Sequence, residues 1–144
     1  MAAEQVESWG VPWEQAFGYV QALRRGNTIH VAGQFSHDSE GLVAPAPVDE
    51  QGRVTDFGAM EEQLRTTYAN TTRLLARFGA TLDDVVKEVV YVLDMDSAFA
   101  VAGSVRKAAF GTETPQVAST ILVTPRLAQP GQLVEISFTA ELKA

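Results

Sequence analysis

The chain has 144 residues, of which 46% are hydrophobic and 20% are charged, a composition typical of one globular domain. Its formal net charge of −7 opposes nucleic-acid binding, because that affinity comes mainly from clustered Lys and Arg. The absence of cysteine excludes disulfides and thiolate metal sites, and His30 and His37 alone predict no metal centre.

The ends and the hydropathy of the chain predict its location. No apolar run is long enough to cross a bilayer, and the first residues have neither a basic region nor an apolar signal core. We therefore expect no membrane partner and a cytoplasmic location. We also expect a single domain over residues 1–144, with an N-terminal segment at residues 1–16.

The first half of the chain begins with a predicted β-hairpin. Residues 18–24 predict one strand, residues 25–27 a turn, and residues 28–34 a second strand. The stretch from about residue 37 to 55 is rich in Pro, Gly and acidic residues, so we expect a long loop. His37, at the start of this loop, is expected to be solvated.

An amphipathic helix is predicted after the loop. Asp56 is a candidate N-cap, and Gly79 is a candidate C-terminal stop. Gln63 and Asn70 are seven positions apart and therefore lie on nearly the same face of this helix. Since buried polar groups are usually hydrogen-bonded, we expect these two amides to satisfy buried backbone groups.

The second half of the chain predicts a strand, a helix and two further strands. Residues 85–93 are β-branched and nearly all apolar, as in a central strand covered on both faces. Asp96 or Ser97 can cap the second helix, which ends near Gly111. The order β-β-α-β-α-β-β predicts an α+β fold with two helices on one face of a mixed sheet. The other face is too apolar to be simply solvated, so we expect a homo-oligomeric contact there.

One carboxylate in the last strand needs an explanation. Apolar and polar residues alternate over residues 133–140, and Glu135 stands alone among apolar neighbours. An isolated acid in such a strand needs a partner or a function, so catalysis or ligand contact competes evenly with an interface hydrogen bond. Tyr19 presents the same choice between a catalytic group and an interface aromatic residue.

Several segments, in the right order, carry a resemblance to a known family. They are Gly18-Tyr19-Val20-Gln21-Ala22, Val31-Ala32-Gly33-Gln34, the helical Gln63 and Asn70, the run from Gly79 to Lys87, and the closing Pro130-Gly131 and Leu133-Val134-Glu135-Ile136. Together the chain resembles the reactive intermediate deaminase family, also known as the YjgF family. The resemblance spans residues from about 18 to 142.

The resemblance implies a fold, an assembly and a reaction. It implies a chorismate-mutase-like subunit and a homotrimer with clefts between neighbouring subunits. Active members of the family hydrolyse 2-imino or enamine acids to 2-keto acids and ammonia, and they need no cofactor. The ligand expected from the resemblance is therefore a small molecule.

The same resemblance implies the site residues, and here the match is partial. Tyr19 and Glu135 stand at catalytic positions, and Gly33 and Ser119 at positions that line the pocket. Three further pocket positions have become small or apolar: they are Val117 in place of the carboxylate-binding Arg, Gly103 in place of a helix Asn, and Ala32 in place of a Ser. We therefore expect a ligand less acidic or more apolar than a 2-imino acid. Arg106 or Arg126 is an alternative source of the missing cation.

Two classes of function remain open from the sequence. The first is a cofactor-free imine or enamine hydrolase with non-standard specificity. The second is a non-enzymatic trimeric module that binds a small molecule or protects other proteins. Ribonuclease activity, which an older name for the family suggests, is disfavoured by the net charge of −7.

Overall fold

The computed structural model describes residues 2–143, which form one six-stranded sheet, a small hairpin and three α-helices. The helices are α1 (Pro12–Phe17), α2 (Met60–Ala76) and α3 (Met95–Phe110). The strands are β1 (Gln5–Glu7), β2 (Ala22–Arg25), β3 (Thr28–Gln34), β4 (His37–Asp38), β5 (Gly41–Leu42), β6 (Val85–Val92), β7 (Ala118–Val123) and β8 (Val134–Glu141). No described helix is both long and apolar enough to cross a membrane.

The sheet has the strand order β1-β2-β3-β8-β6-β7. All neighbours pair antiparallel except β6 and β7, which pair parallel because α3 forms the crossover between them. Strands β4 and β5 form the separate two-stranded hairpin. Strand β7 is therefore an edge strand, and β8 lies between β3 and β6 near the centre of the sheet.

Both long helices pack on the same face of the sheet, which confirms the predicted α+β architecture. Val134, Ile136, Phe138 and Ala140 of β8 are buried beneath the helices in the hydrophobic core. The alternate residues, Glu135, Ser137 and Thr139, are only half-buried on the opposite face. We call this opposite side of the sheet, which α2 and α3 do not cover, the open face.

The expectation that the strand at residues 85–93 is covered on both faces is wrong for the described subunit. Glu88, Val90 and Val92 are buried under the helices, whereas Val89 and Tyr91 are half-buried on the open face. The reason is that α2 and α3 pack side by side on one face.

The N-terminal segment contains two elements that the sequence pattern did not reveal. Strand β1 extends the sheet edge by pairing with β2, and α1 follows it. Gly18 ends α1 with a left-handed φ of 74°, so the first hairpin strand begins at Ala22 rather than at residue 18. Tyr19 consequently precedes the strand on which it was expected.

Neither long helix has the predicted N-cap, because Ala59 takes this position in α2 and Asp94 takes it in α3. The Asp56 carboxylate accepts a 2.7 Å hydrogen bond from the Gly58 N–H within a turn, and α2 begins only at Met60. Asp94, rather than Asp96 or Ser97, is the N-cap of α3, because its side chain accepts the Ser97 N–H at 2.9 Å.

The two amides on α2 fasten the loops to the core, as predicted. Gln63 Nε2 donates to the carbonyl oxygens of Ala44 (2.8 Å) and Gly131 (2.9 Å), and Gln63 Oε1 accepts the Leu133 N–H at 2.9 Å. Asn70 Nδ2 donates to the carbonyls of Phe35 and His37. The stretch expected to be a long loop is thereby tied to α2, and it contains the β4–β5 hairpin.

Replacement of Gln63 by Ala should destabilise the protein strongly. Gln63 is fully buried, and each buried backbone group left without a partner costs about 1–3 kcal/mol. We expect a loss of at least about 2 kcal/mol in the free energy of unfolding, measured by chemical denaturation. The exposed Gln51→Ala should change stability by less than about 0.5 kcal/mol. Equal losses in the two variants would contradict this role of Gln63.

Candidate functional site

Glu135 is the central group of the open face. It lies on β8 directly opposite Tyr91 of β6, and its Oε1 receives one long hydrogen bond, 3.5 Å, from Gln132 Nε2. Burial raises the pKa of the Glu135 carboxyl, and the bond from Gln132 only partly opposes that shift. A carboxyl with a raised pKa is better matched to accepting a proton near neutral pH.

The Glu135 carboxylate lies across the backbone of β3 at Gly33. A Cβ added at Gly33 would be 2.5 Å from Glu135 Oε2 and 2.6 Å from Cδ, closer than van der Waals contact allows. Gly33 lies in the irregular part of the β3–β8 ladder between Val31 and Gln34. The carboxylate thus occupies the space that a side chain at Gly33 would fill, and any larger residue at this position would displace it.

Tyr19 lies close enough to Glu135 to interact with it electrostatically. Its ring is 38% exposed, and its hydroxyl accepts a hydrogen bond from Gln21 Nε2 at 3.5 Å. Partial burial raises the pKa of Tyr19, and the negative charges of Glu14 and Glu135 raise it further. The predicted catalytic residues Tyr19 and Glu135 thus influence each other electrostatically within one subunit.

A buried carboxylate that the sequence reading missed holds α1 in place. Glu14 accepts the backbone N–H groups of Trp9 (2.7 Å), Gly10 (2.9 Å) and Val11 (3.1 Å). Burial alone would raise the pKa of Glu14, but the hydrogen bonds from these amides and from Gln21 outweigh it and lower the pKa. The segment carrying Tyr19 is therefore anchored directly before the sheet.

Ala32, also expected at the site, lies beside Gly33 in β3. Its backbone N–H donates to the Gln21 carbonyl at 2.8 Å. Ala32 is thus next in the chain to Gly33, against which the Glu135 carboxylate lies, and it offers that carboxylate no polar side chain.

The remaining predicted residues lie on the other side of the sheet. Ser119 of β7 pairs with Glu88 of β6 on the helix-covered face, and Val117 packs against the core two positions earlier. Gly103 is exposed on α3, with no atom within 4 Å of an added Cβ. One subunit therefore does not bring Ser119, Val117 or Gly103 together with Glu135.

A buried ionic cluster under the helices was also missed. Glu88, which is completely buried, accepts hydrogen bonds from Tyr68 Oη (2.8 Å), Ser119 Oγ (2.8 Å) and Arg106 Nε (3.0 Å). Arg106 Nη2 lies 2.9 Å from Glu88 Oε2 and donates to Ser119 Oγ at 3.2 Å. The sequence did contain a signal for the burial of Glu88. This acid lies two and four positions before Val90 and Val92, so the period of two in β6 places it on the same, buried side of the strand.

The two alternative arginines have different surroundings. Burial would lower the pKa of Arg106, but Tyr68 and Glu88 favour the charged guanidinium and raise it. Arg126 instead lines a separate cavity of about 490 Å³ between the loops at residues 51–57 and 125–132. Only Arg106 contacts one of the predicted pocket residues, Ser119.

His37 is not solvated, contrary to the expectation. It is 7% exposed and packs against Trp9, Trp13 and Phe35, with ring centroids 4.7 to 6.0 Å apart. Burial lowers its pKa despite the nearby Asp38 carbonyl. The N-terminal segment supplies both tryptophans of this cluster. Among residues 2–143 there is no cluster of three or more His, Asp or Glu side chains that could hold a metal ion.

Comparisons with known proteins agree with this architecture. Residues 13–142 match the family model described as endoribonuclease L-PSP. A RutC family protein of Pyrococcus abyssi is 36% identical over 97 residues, which cover 67% of each chain. The crystal structure of Rv2704 from Mycobacterium tuberculosis, a member of the YjgF/YER057c/UK114 family, has a TM-score of 0.70 at 31% identity and covers 96% of this chain and 98% of its own. The structure of yeast Mmf1, at 23% identity and a TM-score of 0.70, is similar in fold over 99% of this chain and 98% of its own.

The raised pKa of Glu135 predicts how stability depends on pH. A carboxyl whose pKa is higher in the folded state stabilises the fold while protonated, and that contribution is lost as the pH rises through the folded pKa. Glu135→Gln should therefore gain stability relative to the wild type as the pH rises from about 4 to about 8. Chemical denaturation across this range measures the difference, with the exposed Glu40→Gln as control. A difference for Glu135→Gln that stays constant with pH would contradict the burial effect.

Proposed function

This chain belongs to the reactive intermediate deaminase (YjgF) family, and on that premise we propose that it hydrolyses a small imine or enamine in a cleft between copies of the subunit. The observation that carries the proposal is the placement of Glu135. Its carboxylate lies against Gly33 on the open face, has a raised pKa and has one weak hydrogen-bond partner in Gln132. Such a group is available to bind and activate water.

The proposed reaction assigns one proton-transfer role to Glu135. The carboxylate accepts a proton from water while the water oxygen forms a bond to the imine carbon. Glu135 then returns this proton to the nitrogen, which gives a carbinolamine. In a second transfer Glu135 takes the proton of the new hydroxyl group and passes it to the nitrogen, the C–N bond breaks, and a ketone and ammonia leave. An enamine enters the same sequence after its carbon gains a proton and its nitrogen loses one, which gives the imine. Tyr19, which interacts electrostatically with Glu135, shapes the pocket beside it.

A cleft between copies would join two groups of residues that one subunit keeps apart. Glu135 and Tyr19 belong to the open face, whereas Ser119 and Val117 belong to the edge strand and the helix-covered side. The open face also carries half-buried Val89 and Tyr91, which a second copy would cover. We therefore propose a homotrimer in which the open face of one copy meets the β7 edge of another.

A binding or protective module without catalysis is the second candidate. It is favoured by Val117, which is apolar and packs against the core where the resemblance places a carboxylate-binding Arg. The ligand in this case is an apolar or aromatic small molecule, and Glu135 contributes only to the interface. Retained ligand binding in Glu135→Gln together with no turnover in the wild type would favour this function.

Hydrolysis should depend on the placement of the Glu135 carboxylate. The added methyl group of Gly33→Ala would displace the carboxylate, and a misplacement of about 1 Å can cost about 100-fold in rate. Glu135→Gln removes the base and should cost about 10²- to 10⁴-fold. Turnover is measured by ketone formation from imines generated in situ, both 2-aminoacrylate and an uncharged ketimine.

The exposed Glu40→Gln, in the turn between β4 and β5, is the control and should react at the wild-type rate. Circular dichroism and thermal unfolding would establish that the Gly33 variant is folded. Disappearance of both imines at the same rate with and without the wild-type protein would exclude the proposed hydrolysis.

The assembly should have three times the mass of the 15.5 kDa chain in solution. The family resemblance implies three copies, and closed cyclic symmetry lets each copy present its β7 edge to the open face of the next. Multi-angle light scattering measures the mass directly. A monomer at micromolar concentration would remove the cleft from the proposal, since Glu135 and Ser119 could then not meet.

A further inference from the structure

The buried Glu88–Arg106 pair has properties that the proposed hydrolysis does not use. Both oxygens of Glu88 are occupied: Oε1 accepts from Tyr68, and Oε2 accepts from Ser119 and from Nε of Arg106. The carboxylate is fully buried, and leaving such a charge without a partner would be strongly destabilising. The positive charge of Arg106 is therefore compensated inside the subunit.

The guanidinium of Arg106 nevertheless reaches the surface. Its side chain is 21% exposed, and it contacts the exposed Ser119 on the edge strand β7. The contacts with Glu88 and Ser119 use Nε and Nη2. The two N–H groups of Nη1 are not used by these contacts and can donate hydrogen bonds to a ligand beside Ser119.

The carboxylate of Glu88 determines which hydrogen-bond acceptors on a ligand can bind favourably to Nη1 of Arg106. An unpaired guanidinium favours a carboxylate, with which it forms two charge-assisted hydrogen bonds. At Arg106 an incoming carboxylate would meet Glu88, which already binds the same guanidinium and carries the same charge. A carbonyl or amide oxygen accepts a hydrogen bond without this repulsion.

We propose that Arg106, with its charge compensated by Glu88, is a specificity-determining residue that selects an uncharged carbonyl-type group of the ligand over a carboxylate. This inference rests on the proposed cleft beside Ser119 and names the substrate class for it. Tyr68 and Ser119 are positioning residues, because they bind Glu88 and keep its carboxylate against Arg106. The corresponding substrate is a neutral imine that carries an amide, ester or ketone in place of the acid.

A pair of probes that differ mainly in charge tests the selection. Pyruvate and 2-oxopropanamide have nearly the same shape, and their binding to the full chain can be followed by the Nε–Hε resonance of Arg106 and by calorimetry. We expect the wild type to bind 2-oxopropanamide at least tenfold more tightly than pyruvate. In Glu88→Gln, which frees the positive charge of Arg106, this ratio should fall at least tenfold or reverse.

Matched variants separate selection from folding. Arg65→Gln removes an exposed guanidinium outside the proposed site and should leave the ratio unchanged, whereas Arg106→Gln should abolish it. Should Glu88→Gln fail to fold, the wild-type ratio and the shift of the wild-type Arg106 resonance with each probe still decide the question. A wild type that prefers pyruvate, a ratio unaffected by Glu88→Gln, or no shift of the Arg106 resonance with either probe at millimolar concentration would overturn the inference.

These readouts are independent of turnover. Loss of imine hydrolysis in Glu135→Gln combined with no discrimination at Arg106 would leave the proposed reaction intact and reject the selection. Discrimination at Arg106 without any hydrolysis by the wild type would support the selection and reject the reaction.

Discussion

The side-chain amide of Gln63 is the contact on which the geometry of the open face depends. It joins α2 to the loop at Ala44, to the turn at Gly131 and to Leu133, where the chain enters β8. The loop and the turn approach so closely that a Cβ at Gly131 would lie 2.7 Å from the Ala46 carbonyl oxygen. The starting point of β8 is thus set from within the core, and with it the positions of Gln132 and Glu135.

The sheet separates two polar groups that serve different purposes. On the helix-covered side, the charge of Glu88 is matched by Arg106 and by two hydroxyl donors. On the open face, Glu135 has a single long hydrogen bond and is only half-buried. The first carboxylate is stabilised and immobilised, while the second keeps lone pairs free for water or a ligand. A cleft between copies is the arrangement in which both could act on one molecule.

The sequence was most informative where a pattern has one structural meaning. The period of two in β8 placed Glu135 on the face opposite the core, and the seven-residue spacing of Gln63 and Asn70 identified the two amides that bind loop carbonyls. The order of the elements also followed from hydropathy and turn patterns, and the resemblance to a known family added the chorismate-mutase-like subunit. The two spacings are local, so the sequence displays them directly.

The ionic cluster could not be predicted in the same way, because its members are distant in the sequence. Tyr68, Arg106 and Ser119 are 20, 18 and 31 positions from Glu88, and only the packing of α2 and α3 on one face brings them together. The environment of His37 has a similar origin. Its tryptophan neighbours come from the N-terminal segment, where α1 was not foreseen.

The edge strand β7 has a consequence for the solubility of a single, unassociated subunit. Ala118 to Val123 contain no charge and no proline, and the outer hydrogen-bonding edge of this strand is unpaired within the described subunit. Natural proteins usually protect such edges with charges, prolines or bulges, because an exposed apolar edge is a template for aggregation. The proposed association with other copies would cover this edge, and solubility would then depend on assembly. A subunit prevented from associating is then expected to be lost to aggregation rather than to persist as a soluble, inactive form.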